Sequence, residues 1–115
     1  MGSIPSVSEG AWGRSPPGNY DLAVSRASIE RQLVENGEKI RQLRSELAIA
    51  DEQLAQLADE AGDARLRALV SETPLADREH RQAERHASAM RRHRQEVAAV
   101  IEQLEHQQDM LLDRL

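Results

Sequence analysis

With 115 residues and a net charge of -5, the chain has room for one small domain and no general basic surface, which argues against nucleic acid as a partner. Phe and Cys are absent and the only aromatics are Trp12 and Tyr20, which excludes an aromatic core, a disulfide framework and a thiolate metal site. Nothing resembles a membrane span or a basic-then-apolar secretory leader, so the expected setting is cytoplasmic, without a membrane.

Residues 1–20 hold Pro5, Pro16 and Pro17 together with Gly2, Gly10, Gly13 and Gly18. Such a composition does not repay the entropy of ordering and reads as a flexible, disordered tail. Trp12 within it has three readings: an anchor for a partner's groove, a side chain that folds back onto the chain's own helices, or part of an upstream extension with no role.

A first helix is expected from Asp21 or Ser28, both good N-cap types, to about residue 71. Its apolar seam runs Ile29, Leu33, Asn36, Ile40, Leu43, Leu47, Ala50, Leu54, Leu57, Ala61, Ala64, Ala68, in alternating steps of four and three. Asn36-Gly37 and Gly62-Asp63 interrupt it, each Gly at a cost of about 1 kcal/mol. The heptad phase passes through both unchanged, so the helix is expected to continue.

Residues 71–74, Ser-Glu-Thr-Pro, are the expected turn. Thr73 suits an N-cap, and Pro74 suits a first helical position, where its missing N–H is no loss. A second helix then spans 74–115 with the seam Ala76, His80, Ala83, Ala87, Met90, Arg94, Val97, Ile101, Leu104, Gln108, Leu111, Leu115. The expected fold is all-α: two long helices in an antiparallel coiled-coil hairpin, preceded by the tail.

Heptad phase allows two alignments, with facing seam residues totalling 144 or 137. At 137, Arg44 meets Arg91, Asp51 meets Glu84, and Arg94 and Gln108 fall opposite Leu43 and Ile29. At 144, Leu47 meets Val97, Asn36 meets Gln108, and Arg94 falls opposite small Ala50 with its head in water. The flanks then oppose Asp51 to Arg91, Arg65 to Asp77, Arg67 to Glu79, and Glu60 to His86. Each exposed charge contact is worth a few tenths of a kcal/mol, and their agreement selects 144.

Near the turn the seam is almost all Ala, while Leu66, Leu69, Val70 and Leu75 fall outside it. Two readings stand: these four cap the hairpin end, or they form an apolar patch that binds a partner. Val34, Ile49, Val100, Met110 and Leu112 are also off the seam, in positions to join two hairpins as a homodimeric four-helix bundle.

Among the histidines, His80 with Glu84 and His106 with Glu102 have usable i, i+4 spacing, but His86 and His93 are two turns apart, and no Glu-x-x-His or His-Glu-x-x-His motif occurs. No Gly-rich phosphate loop or readable Ser/His/Asp set is present, and a two-helix rod offers no concave pocket. The expectation is therefore a non-enzyme, with no metal and no cofactor. Residues 78–94 carry six Arg against two Glu, a local charge of +4. Asp51, Glu52, Asp59, Glu60 and Asp63 are expected to neutralise most of it, leaving Arg92 the least engaged.

Glu84, Ser88, Arg91 and Gln95 occupy four of five positions in a pattern that resembles the cyclic-di-GMP signature of the coiled-coil anti-sigma factors of actinobacteria. The fifth position, an Asp in that family, is Ala99 here, and the first helix carries no second copy. The resemblance covers about a dozen residues. It implies a ligand-sensing regulator that holds a cyclic dinucleotide on Glu84, Ser88, Arg91, Arg92 and Gln95. The leading expectation is different: a bacterial protein–protein interaction or regulatory module that docks on another protein. Hairpins of this size recur as arms on RNA polymerase and sigma factors, an analogy of shape alone; the turn here carries only Glu72 rather than an acidic cluster.

Overall fold

The computed structural model describes residues 19–115, which form two helices, α1 (Asn19–Ser71) and α2 (Pro74–Asp113), packed as an antiparallel hairpin. The tail expected over 1–20, including Trp12, lies outside the described residues apart from its last two positions, which begin α1. The helix therefore starts upstream of both Asp21 and Ser28. Nothing between Asn19 and Ser28 opposes helix, whereas Pro16, Pro17 and Gly18 just before it do. At 53 and 40 residues, the helices are about 80 and 60 Å long.

Helix α1 runs unbroken through Gly37 and Gly62, neither of which has a positive φ. It ends at a left-handed residue, Glu72 (φ 52), whose amide still reaches back to the Ala68 carbonyl at 3.0 Å. Thr73 then turns extended (φ -106, ψ 151), and its Oγ1 accepts the Ala76 amide at 3.1 Å, capping α2. Pro74 is the first residue of α2, and Asp77 adds an acid to the first turn, where the helix dipole favours it.

Among the described residues, all eleven buried apolar side chains belong to the two seams: Ile29, Ile40, Ala50, Ala61, Ala64 and Ala68 on α1, with Ala76, Ala87, Val97, Ile101 and Leu111 on α2. The remaining described seam positions are half-buried, except Leu115, which lies beyond the end of α2 and is exposed. Cross-helix contacts set the register. Asp51 meets Arg94, Arg44 meets Glu105 at 3.5 Å, and the Gln108 Nε2 donates to the Leu33 carbonyl at 3.1 Å. Those partner numbers total 145, 149 and 141, grouped around 144 and away from 137.

Candidate functional site

The hairpin end leaves its large side chains outside. Leu66, Leu69 and Leu75 are each 60–64% exposed and Val70 is 85% exposed. Their positions in the helices explain this. Leu66 is three residues from Leu69 and four from Val70, so the three share the outward surface of α1, and Leu75 follows just across the bend. Seam positions there are filled by Ala61, Ala64, Ala68 and Ala76, all buried. The four aliphatics therefore do not cap the hairpin end by covering one another.

The basic run of α2 is arranged differently from expectation. Arg94, a seam residue opposite Ala50, keeps its head partly in water, where its guanidinium reaches past the small side chain to the Asp51 carboxylate. Arg91, expected beside Asp51, is exposed and has no carboxylate within salt-bridge distance among the described residues. A long side chain leaving the seam reaches the flanking acid more directly than one already outside it. The same holds for the other flank pairs: Arg65 with Asp77, Arg67 with Glu79 and Glu60 with His86 make no ion pair among the described residues. The last two pairs do come together in space, since Glu60, Arg67, Glu79 and His86 rim one open groove.

Of the stripe Glu84, Ser88, Arg91, Gln95, Ser88 is half-buried and the other three are exposed, as is Arg92. Steps of four, three and four keep that stripe on the flank of α2 nearest α1, on the side where Asp51 lies. Arg92 is turned further outward. His80, in the seam, is half-buried, with an Nδ1 that meets no hydrogen-bond partner among the described residues. Among the described residues no three His, Asp or Glu gather as a metal-binding group, and no helix is long and apolar enough to cross a membrane.

The off-seam aliphatics are exposed too, but on two sides. Ile49, Val100 and Met110 lie on one flank of the hairpin, Val34 and Leu112 on the other. On the first flank, two shallow grooves are lined by Lys39, Leu43, Val100 and Leu104 and by Gln32, Asn36, Met110 and Leu111. Sequence reasoning missed the Asp51–Arg94 pair. The signal was present, because Arg94 is a seam cation beside an alanine and an acid sits one residue on. No protein-family model, curated protein or solved structure matches this chain.

Proposed function

We propose that this protein is a non-catalytic interaction module: a stiff helical arm that presents its bend to another protein. The observation that supports this reading is the group Leu66, Leu69, Val70 and Leu75, large aliphatic side chains gathered at one end of the arm and left in water. Fully covering each one is worth roughly 1.5–3 kcal/mol, which a partner's surface supplies and this hairpin does not. Leu69→Ser and Val70→Ser test it. Both sites are exposed, so helix content should hold, while a partner co-purified with the wild-type protein from its host should be lost. A partner retained by both variants refutes the reading.

A second reading is favoured by the freedom of Arg91. With Asp51 engaged by Arg94, Arg91 stands available beside Glu84, Ser88, Arg92 and Gln95 for a guanine edge or a phosphate. In this reading the arm is a regulator that senses a cyclic dinucleotide. Calorimetry with cyclic-di-GMP on wild type and Arg91→Ala decides it. Heat in wild type that is lost in the variant supports the sensor, and no heat in wild type removes it.

A further inference from the structure

Three of the arginines of α2 that make no salt bridge among the described residues are in line. Arg78, Arg85 and Arg92 recur every seven residues, so they form one row along the outer edge of α2, about 10 Å apart. Arg81 lies between the first two, and Leu75 extends the row to the bend. All five side chains are exposed, and among the described residues none of the four arginines is in a salt bridge. Two of the acids expected to neutralise them are out of reach. Glu52 and Asp59 hold the same outward position on α1, on the opposite edge of a two-helix ribbon, roughly 20 Å away. Like charges three and four residues apart, as in Arg78, Arg81 and Arg85, cost the isolated helix a few tenths of a kcal/mol each. Asp77 and Glu84 stand four and three residues from Arg81, and Glu96 four from Arg92, but among the described residues none of them closes a salt bridge with the row. Of its fifteen basic residues only Lys39 is a lysine, and the guanidinium fork grips a carboxylate with two parallel bonds where an ammonium offers a point charge.

The geometry points to an acidic helix of a partner protein lying along α2 from Leu75 to Arg92, its carboxylates at heptad spacing on the arginine row and an aliphatic residue over Leu75. This rests on the protein-docking reading and specifies the chemistry of that partner. A straight row with a repeat of about 10 Å matches the surface repeat of another helix. A nucleic-acid duplex would instead meet a chain of net charge -5 whose other edge is acidic. A second copy of this chain offers Glu52 and Asp59, but an α1 edge against an α2 edge is a head-to-tail contact that does not close into a dimer.

The test is fluorescence anisotropy of the full chain with three labelled probes. They are a synthetic helical peptide with Glu at every seventh position and one terminal Leu, the same peptide with Gln for Glu, and a short DNA duplex. The Glu peptide should bind, and its binding should weaken steeply as salt rises. The triple variant Arg78→Gln, Arg85→Gln, Arg92→Gln should bind it about tenfold more weakly with unchanged circular dichroism. Equal binding of the Gln peptide, tighter binding of the duplex, or no loss in the triple variant each overturns the proposal, as does failure of the Glu peptide to bind. Open-ended growth of the wild type in sedimentation, abolished by the triple variant, assigns the row to a second copy and overturns it as well. A natural partner that is lost with Leu69→Ser but indifferent to the triple variant sinks the acidic-helix proposal and leaves the docking reading standing.

Discussion

Replacing Gln108 with Leu should make the hairpin more stable and less certain of its register. The side chain sits in the seam with its Nε2 on the Leu33 carbonyl at 3.1 Å and a buried Oε1 that meets no partner among the described residues. Losing the hydrogen bond costs about 1 kcal/mol, and removing the unpaired oxygen recovers roughly 1–3 kcal/mol. A leucine at this half-buried site adds about 1 kcal/mol of burial, on the order of half its full value. The balance is a gain of about 1–3 kcal/mol. Urea unfolding followed by helical circular dichroism should show a higher midpoint at unchanged slope, the same at two protein concentrations so that association does not imitate it. The gain should come with a loss of specificity, because a polar layer also penalises wrong alignments. Alignment 137 sets position 108 against Ile29, an apolar pair once leucine is there. Cysteines at positions 51 and 84, which that alignment opposes, should cross-link more readily in Gln108→Leu than in the parent. A lower midpoint would refute the reasoning, since the amide would then be a net stabiliser of the seam.

Gly62→Ala should stabilise α1 by about 1 kcal/mol, because a Cβ there meets nothing within 4 Å and the backbone φ is ordinary; the urea midpoint measures it. Glu72→Gly should raise the melting temperature through a gain of about 1 kcal/mol, since φ 52 is the left-handed region that glycine adopts without strain. Ala87→Leu should cost about 1–3 kcal/mol in the same measurements, because Ala87 is 1% exposed and the seam there has no room for three more carbons.

Much of this architecture was legible because it is periodic. The unbroken phase through Gly37 and Gly62 is a property of spacing, and α1 runs through both. Thr73 and Pro74 carry local signals whose geometry needs no distant partner, and both hold the predicted roles. What sequence reasoning misplaced depends on direction as well as height. Asp51, Glu52, Asp59 and the arginines of α2 share a level along the rod, which suggested neutralisation. Yet Glu52 and Asp59 look out from one edge and Arg78, Arg85 and Arg92 from the other. Arg94 escaped this only because it begins in the seam and its stem is long enough to leave it.

The seam and the surface of the bend are complementary, and this links the fold to the proposed docking end. Small side chains at Ala61, Ala64, Ala68 and Ala76 let two helices approach closely, since interaxial distance follows the residues at the contact. Close approach leaves no space between the helices for a leucine, so every large aliphatic of this region is displaced outward. Further along the shaft the order is reversed: Ile40, Val97, Ile101 and Leu111 are buried in the seam. Stability is therefore concentrated in the shaft, while the bend trades buried area for an apolar outer surface. A chain selected for hairpin stability alone would place Leu66 and Leu69 in the seam and alanines outside. This one does the opposite at the end proposed to dock.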